Sequence, residues 1–200
     1  MMKIGLYFGS FNPIHIGHLI IANHMMSHSD LKQLWFVVSP HNPLKETSTL
    51  LNENHRYHMV QLAVEQDDRF RASNIEFGLP RPSYTIDTLT YLKDKYPTHQ
   101  FVVIMGSDSI NNIRKWKNYE LLLRDYELLV YRRPGWEIDK TLKGRIEVVD
   151  APMLEISSTH IRQLIAQKKS IRYLVPDAIA EYIVANGYYR KSFAKKIRKD

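Results

Sequence analysis

Apolar and polar residues follow one another along the chain in a pattern that predicts strands and helices in turn. Runs that are apolar at nearly every position, as in strands buried on both faces of a parallel sheet, cover residues 3–8, 33–39, 100–105, 126–131 and 145–149. Apolar residues recur at helical spacing over residues 17–27, 53–66, 83–95, 119–124, 157–167 and 176–186. The predicted order is therefore β-α-β-α-α-β-α-β-β-α-α.

Repeated strand-to-helix units predict an α/β fold, a Rossmann-like parallel sheet flanked by helices, with a small helical C-terminal part. We expect one domain over residues 1–189, whose helical C-terminal part covers residues 157–189, followed by a basic tail over residues 190–200. In such folds ligands bind at the carboxyl ends of the strands. Motifs that carry chemistry should therefore follow strands.

The clearest of these motifs joins the first predicted strand to the first predicted helix. Residues 8–19 read FGSFNPIHIGHL and contain Gly9, His15, Gly17 and His18. Glycine lets the backbone approach a ligand closely, and the start of a helix presents unpaired N–H groups and the positive end of the dipole. Imidazole hydrogen-bonds phosphate whether it is neutral or protonated. The junction therefore predicts a triphosphate site.

Histidine pairs also allow a different interpretation, that of a zinc site. The pairs with suitable spacing are His15 with His18, His24 with His28, and His55 with His58. No cysteine and no suitably placed carboxylate completes a set of ligands. We therefore expect no metal held by the protein alone and favour a polar helix face for the second pair.

The pattern Gly-x-Phe-x-Pro-x-His-x-Gly-His over residues 9–18 resembles the signature of the nucleotidylyltransferase superfamily. Members of that superfamily transfer AMP or CMP from a nucleoside triphosphate to a phosphate or an alcohol. The chain departs from the commonest form at Phe8, where glycine is frequent, and at Asn12, where aspartate is frequent. Neither change removes a group that donates a hydrogen bond to phosphate.

Two further segments resemble the nicotinate mononucleotide adenylyltransferase family within this superfamily. Residues 82–89, PSYTIDTL, predict a helix start with Ser83 as its N-cap. The resemblance implies that backbone N–H groups near Tyr84 and Thr85 receive the carboxylate of nicotinate. It also implies that Trp116, which lies between two lysines, stacks on the pyridine ring. The structural alternatives are a capped helix and an indole at the boundary of the core.

Segments near the third strand and the C-terminal part complete the ATP site that the resemblance implies. The MGSD segment resembles the family's Gly-x-Asp, whose carboxylate meets ribose hydroxyls, although Asp108 is also a candidate N-cap. Residues 156–162, ISSTHIR, resemble the family's ISSTxIR, in which hydroxyls and an arginine meet phosphate oxygens. The implied catalytic residues are His15, His18 and Arg162, and the implied ATP and phosphate ligands are Gly9, Ser10, Phe11, Gly17, Lys45, Gly106, Asp108, Ile156, Ser157, Ser158 and Thr159.

The resemblance spans residues 3–189 and implies adenylyl transfer from ATP to nicotinate mononucleotide, which gives deamido-NAD and pyrophosphate in NAD biosynthesis. It implies that Mg²⁺ enters on the phosphates of ATP. The motif over residues 9–18 alone leaves other acceptors open, such as phosphopantetheine or a cytidylyl-transfer substrate, but residues 83–89, Trp116 and the length of 200 residues argue against them. His15, His18 and Arg162 argue against a nucleotide sensor without activity, and the sequence leaves open either a monomer or a homo-oligomer.

Composition excludes several other classes of protein. Hydrophobic residues make up 44% and charged residues 24% of the chain, which argues against global disorder. The longest apolar runs, of about five residues, are too short to span a membrane, and early glycines interrupt any signal-peptide core. The absence of cysteine excludes disulfides, thiolate zinc sites and cysteine nucleophiles. We therefore expect a cytoplasmic protein.

The formal net charge of +7 suggests a polyanionic partner such as nucleic acid. Residues 190–200, however, contain six basic residues and one acidic residue, which accounts for +5 of this charge. Only +2 remains for residues 1–189. We therefore expect neither a nucleic-acid nor a membrane partner, and we interpret the charge as a feature of the C-terminal tail.

Overall fold

The computed structural model describes residues 1–40, 49–152 and 154–190. Within them the centre of the molecule is one parallel sheet of strands β1 (Met2–Gly9), β2 (Gln33–Val38), β3 (Phe70–Ser73), β4 (His99–Gly106), β5 (Glu127–Tyr131) and β6 (Arg145–Val149). The strands lie in the order β3-β2-β1-β4-β5-β6, and each neighbouring pair is parallel. This arrangement confirms the predicted α/β fold.

Helices connect most of the strands and follow the last one. They are α1 (Ile16–Ser27), α2 (Glu53–Val64), α3 (Thr85–Lys95), the single turn α4 (Ser107–Ile110), α5 (Tyr119–Asp125), α6 (Ser158–Ala166) and α7 (Asp177–Asn186). Two short 3-10 turns cover Ile75–Gly78 and Ile113–Lys115. Because α3 buries Ile86, Leu89 and Leu92 at helical spacing, its apolar stripe faces the sheet.

The pattern of apolar residues did not predict strand β3. The prediction of two successive helices between the second and third strands is therefore wrong, because β3 lies between α2 and α3. This strand has four residues, pairs with no described strand other than β2 and leaves Arg71 exposed. An edge strand of this length buries too little surface to require a continuous apolar run.

Successive residues of the central strands face opposite sides of the sheet and divide the core into two clusters. Leu6 belongs to the cluster that includes residues of α3 and α5, whereas Tyr7 belongs to the cluster that includes residues of α1, α2, α6 and α7. Strands β1 and β4 are neighbours in the sheet although β2 and β3 separate them in sequence. Their carboxyl ends therefore form the switch point at which folds of this kind bind ligands.

The helical C-terminal part packs onto the same core as the sheet. Ile161 of α6 and Ile179 and Ile183 of α7 are buried in one cluster with residues of β1 and α2. Helix α7 is capped at its C-terminus by Gly187, which has a φ of 66°, in the left-handed region that favours glycine. The chain then turns back and buries Tyr189 close to the loop that follows β1.

Candidate active site

Two cavities lie side by side at the switch point between β1 and β4. The first has a volume of about 410 Å³ and contains His18 in its wall, and the second has a volume of about 770 Å³ and contains Trp116. We refer to them as the histidine cavity and the tryptophan cavity. Gly9, Ser10 and Asp108 line both cavities and form a shared wall. Groups bound in the two cavities therefore lie next to each other at this wall.

The structure brings together the sequence-predicted site residues that it describes. The histidine cavity is lined by Gly9, Ser10, Phe11, His15, Gly17, His18, Asp108, Ile156, Ser157, Ser158, Thr159 and Arg162. The tryptophan cavity is lined in addition by Tyr84, Thr85, Gly106 and Trp116. The predicted ligand Lys45 lies outside the described residues.

The two imidazoles at the start of α1 form one stacked pair. The ring centroids of His15 and His18 are 3.6 Å apart, with 27° between the planes. The backbone N–H of His15 donates to Nδ1 of His18 over 3.3 Å. Since Nδ1 of His18 accepts in this bond, a neutral His18 ring carries its proton on Nε2 and can donate from there.

His15 is a neutral ring at pH 7. Burial, and to a smaller extent the positive charge of Arg133, lowers the pKa of His15 to about 4. Its Nδ1 is buried and has no hydrogen-bond partner among the described residues, which is costly unless a ligand supplies one. A Cβ at Gly17 would come within 3.1 Å of this nitrogen, so glycine leaves room beside it.

The start of α6 is bonded to the loop that follows β1. Ser157 is the N-cap of α6 and accepts from the N–H of His160 over 3.2 Å. The Ser158 hydroxyl donates to the Pro13 carbonyl over 2.9 Å, so its proton is committed to this loop. Because the Ser157 hydroxyl only accepts in its bond with His160, its proton can be donated to another acceptor such as a phosphate oxygen. The N–H groups of the first turn can donate to the same acceptor.

Arg162 lies one turn inside α6 and joins the same loop. Its Nη1 donates to the Asn12 carbonyl over 2.8 Å, and its Nη2 donates to Oγ1 of Thr159 over 3.2 Å. Its Nε is buried and has no partner among the described residues. Burial lowers the pKa of Arg162 from its usual value, but an arginine in this setting stays charged at pH 7.

Asp108 lies at the shared wall, where a salt bridge orients its carboxylate. Its Oδ2 accepts from Nη1 of Arg133 over 3.0 Å, and the backbone N–H of Arg133 donates to Oγ of Ser107 over 2.8 Å. The N-cap of α4 is Gly106, so the alternative of Asp108 as an N-cap is wrong. A Cβ at Gly106 would lie 2.5 Å from Oδ1 of Asp108, so a larger residue at this position would displace the carboxylate.

The tryptophan cavity is bounded by the start of α3 and the segment around Trp116. The N-cap of α3 is Tyr84, and the predicted N-cap Ser83 instead directs its hydroxyl to Glu76. Lys117, next to the partly buried Trp116, forms a 2.8 Å salt bridge with Asp87 and lies 4.8 Å from the centroid of the Tyr84 ring. These contacts hold the indole segment against the first turn of α3.

In the part of the chain that the structure describes, no group of three or more His, Asp or Glu side chains is arranged to hold a metal ion. The rings of His24 and His28 stack on each other at 3.9 Å. His55 contacts the hydroxyls of Tyr182 and Tyr188 through Nδ1. Across the described ranges, no helix is both long enough and apolar enough to cross a bilayer.

Comparison with known proteins decides the family. The model of one family, described as cytidylyltransferase-like, matches residues 6–164. The chain belongs to the cytidylyltransferase-like family. A relative from Flavobacterium johnsoniae, named "Probable nicotinate-nucleotide adenylyltransferase", is 52% identical over 193 residues, which are 95% of this chain and 100% of the relative. A relative of the same name from Cytophaga hutchinsonii is 52% identical and covers 94% of this chain and 98% of its own length.

Solved structures resemble this member of the cytidylyltransferase-like family in fold. The nicotinic acid mononucleotide adenylyltransferase of Plasmodium falciparum, complexed with NaAD, has a TM-score of 0.81 at 21% identity. The likeness covers 94% of this chain and 98% of that one. At this identity it shows that the two chains share a fold.

Sequence reasoning missed the residue that supports the walls of this cytidylyltransferase-like site. Arg56 of α2 is fully buried, and its guanidinium donates to the backbone carbonyls of Ser10, Ser39, Pro40 and Leu51. Burial lowers the pKa of Arg56 to about 10. An arginine on the apolar stripe of a predicted helix, three and four residues before Met59 and Val60, was the signal available.

Asn12 is a second residue whose role only the structure reveals. Its Oδ1 accepts from the Tyr189 hydroxyl over 2.8 Å and from the N–H of Leu51 over 3.2 Å. Its Nδ2 donates to the Thr49 carbonyl over 2.9 Å. An aspartate at this position could not make the last bond, because a carboxylate has no proton to donate.

Proposed function

We propose that this chain transfers the adenylyl group of ATP to nicotinate mononucleotide, which gives deamido-NAD and pyrophosphate. The observation that carries the proposal is the pair of cavities that share one wall at the switch point of the sheet. One cavity offers imidazoles, a guanidinium and a helix N-terminus, which suit a triphosphate. The other offers an indole and a second helix N-terminus, which suit an aromatic ring with a carboxylate. The names of the relatives at 52% identity agree with it.

The reaction needs no nucleophile from the protein. An oxygen of the mononucleotide phosphate attacks the α-phosphorus of ATP in line, and the bond from that phosphorus to the bridging oxygen of the β-phosphate breaks. Pyrophosphate leaves with the electron pair of this bond. Catalysis of this kind comes from positioning the two nucleotides and stabilising charge on the phosphoryl oxygens.

In the histidine cavity, imidazoles donate hydrogen bonds to the phosphates and a guanidinium supplies positive charge. His18 donates from Nε2 to the α-phosphate, where negative charge increases in the transition state. His15 is neutral and meets the triphosphate through hydrogen bonds alone. Arg162 supplies positive charge to the β- and γ-phosphates. Ser157, Thr159 and the N–H groups at the start of α6 donate hydrogen bonds to the same phosphates.

Other predicted ligands serve the remaining parts of the two nucleotides. Asp108 accepts hydrogen bonds from ribose hydroxyls at the shared wall, where Arg133 orients it. The N–H groups that follow Tyr84 receive the pyridine carboxylate, and Trp116 stacks on the ring. Lys45, which lies outside the described residues, remains a proposed ligand of phosphate.

Divalent metal belongs to the substrate in this proposal. Mg²⁺ binds phosphate oxygens readily and keeps several of its waters, so ATP brings it into the histidine cavity as a complex. The residues of the chain then bind and orient that complex. The cavity walls supply the imidazole, guanidinium and hydroxyl groups described above.

The test is release of pyrophosphate by the purified protein with each combination of two donors, ATP and CTP, and three acceptors. The acceptors are nicotinate mononucleotide, nicotinamide mononucleotide and phosphopantetheine. We expect the highest kcat/KM for ATP with nicotinate mononucleotide, with deamido-NAD as the product. A higher kcat/KM with CTP or with phosphopantetheine would overturn the proposal.

A further inference from the structure

Glu76 is a buried carboxylate in the wall of the tryptophan cavity that the proposed reaction does not use. It lies in the 3-10 turn Ile75–Gly78, and only 2% of the residue is exposed. Its Oε1 accepts from Oγ1 of Thr88 over 2.8 Å, and its Oε2 accepts from Oγ of Ser83 over 2.9 Å. The side chain of Ser39, at the end of β2, is also hydrogen-bonded to it.

The burial of this carboxylate is compensated by hydroxyl groups. Burial raises the pKa of Glu76, and the hydrogen bonds from Thr88, Ser83 and Ser39 act in the opposite direction. A buried carboxylate is costly unless its oxygens are hydrogen-bonded, so the side chain and its hydroxyl partners hold one another in place.

The hydroxyl partners bracket the turn that faces the cavity. Ser83 immediately precedes the N-cap Tyr84, and Thr88 lies at the end of the first turn of α3, where its hydroxyl also lies 3.3 Å from the Tyr84 carbonyl. The carboxylate of Glu76 therefore joins both ends of the segment that carries Tyr84 and Thr85. A shift of this segment would break at least one of these bonds.

We propose that Glu76 is a positioning residue for recognition of the acceptor, because it fixes the first turn of α3 whose N–H groups meet the carboxylate of the pyridine ring. The inference rests on the proposed function, which places that carboxylate there. A negative side chain offers no attraction to an anionic acceptor, so Glu76 acts through the geometry that its hydrogen bonds impose. It is thus a determinant of the choice between nicotinate and nicotinamide.

The experiment compares the variants Glu76→Ala and Glu76→Gln with the unchanged protein. Steady-state kinetics give kcat and KM for nicotinate mononucleotide, nicotinamide mononucleotide and ATP. For Glu76→Ala we expect the ratio of kcat/KM for the nicotinate over the nicotinamide acceptor to fall about tenfold, because the turn loses both tethers. The KM for ATP should stay unchanged, because the histidine cavity does not depend on this turn.

The conservative variant separates geometry from charge. The amide of Glu76→Gln can still accept from the Thr88 hydroxyl and can donate to the oxygen of Ser83. We therefore expect Glu76→Gln to keep the ratio within about threefold of the original value. Thr90→Ala is the matched control, since Thr90 is exposed on the same helix and its hydroxyl donates to the Ile86 carbonyl over 2.9 Å.

Each outcome decides the question. A folded Glu76→Ala protein that keeps the ratio, or loses activity equally with both acceptors, overturns the inference and leaves the proposed function standing. If Glu76→Ala does not fold, Ser83→Ala removes one tether alone, and an unchanged ratio in that variant overturns the inference as well. An unchanged protein that makes no deamido-NAD would instead remove the proposed function, on which the inference rests.

Discussion

The histidine cavity and the tryptophan cavity share a wall, but different contacts hold their other walls in place. In the first, side chains of α6 donate to backbone carbonyls of the loop after β1, as Ser158 does to Pro13 and Arg162 does to Asn12. In the second, the buried carboxylate of Glu76 holds the turn that offers backbone N–H groups. In the proposed function, a phosphate is therefore met mainly by charged or polar side chains, and the pyridine ring is met by an indole and a positioned backbone. Side-chain substitutions should impair the chemical step in the first cavity and recognition of the acceptor in the second.

The largest effect that this comparison predicts is on turnover in the histidine cavity. His18→Ala should lower kcat by at least about 100-fold, the scale expected for the loss of one donor to the transition state. The KM for nicotinate mononucleotide should change little. Steady-state kinetics measure both quantities, and urea denaturation should show a nearly unchanged free energy of unfolding.

His28→Ala is the matched control for this variant. His28 follows α1 directly, is exposed and stacks on another histidine at 3.9 Å, as His18 does at 3.6 Å. We expect normal turnover from His28→Ala. Near-normal turnover from His18→Ala would remove His18 from the chemical step.

The second prediction concerns the source of positive charge in the histidine cavity. Because the pKa of His15 is about 4 in the folded protein and about 6.5 when unfolded, the unfolded state binds the extra proton between these values. The contribution of the neutral His15 ring to the free energy of unfolding is therefore fully present above pH 6.5. It is lost as the pH falls from 6.5 toward 4. Relative to His15→Asn, the unchanged protein should lose about 2 kcal/mol more stability between pH 7 and pH 5.

Urea denaturation of both proteins at pH 7 and pH 5 measures this difference, and contributions of the other titratable groups cancel in the comparison. An equal loss in the two proteins would mean that His15 takes up its proton over the same pH range in the folded and the unfolded state. The cavity would then gain positive charge from His15, in addition to that of Arg162, as the pH falls below about 6.5.

The third prediction tests recognition in the tryptophan cavity. Trp116→Ala should raise the KM for nicotinate mononucleotide about tenfold, the equivalent of about 1.4 kcal/mol of lost stacking. The KM for ATP and the kcat at saturation should stay close to their original values, and Trp116→Phe should recover most of the affinity. A fall in kcat without a change in KM would contradict the division of labour between the two cavities.

The smallest effect is expected from removing the basic tail. A chain that ends at Arg190 lowers the formal net charge from +7 to +3 but keeps Tyr189, whose hydroxyl donates to Asn12 over 2.8 Å. We expect kcat and both KM values to stay within about twofold at physiological salt, because the described residues that line the two cavities all lie at or before Arg162. The control is the full chain assayed at high salt. If the shortened chain loses kcat/KM and the full chain at high salt does not, the boundary that we place after residue 189 is wrong.

Most of the fold could be predicted because its elements have local signals. The observed bounds of the five predicted strands differ from the predicted ones by one residue at most. The expectation that all five are buried on both faces is wrong for β6, because it lies at the edge of the sheet and exposes Arg145, Glu147 and Val148. Strand β3 was missed because an edge strand of four residues carries no continuous apolar run. The N-cap of α3 was misplaced because the Ser83 hydroxyl is bonded to Glu76, seven residues away, instead of capping the helix.

The sequence by itself determined the groups that stand close together along the chain. His15, Gly17 and His18 lie in one strand-to-helix junction because a turn needs only a few neighbouring residues to form. Only the tertiary structure decided which distant groups meet, such as Arg162 and the Asn12 carbonyl, which are 150 residues apart. It also decided that His15 is neutral, because the cost of burying a charge depends on every group packed around it.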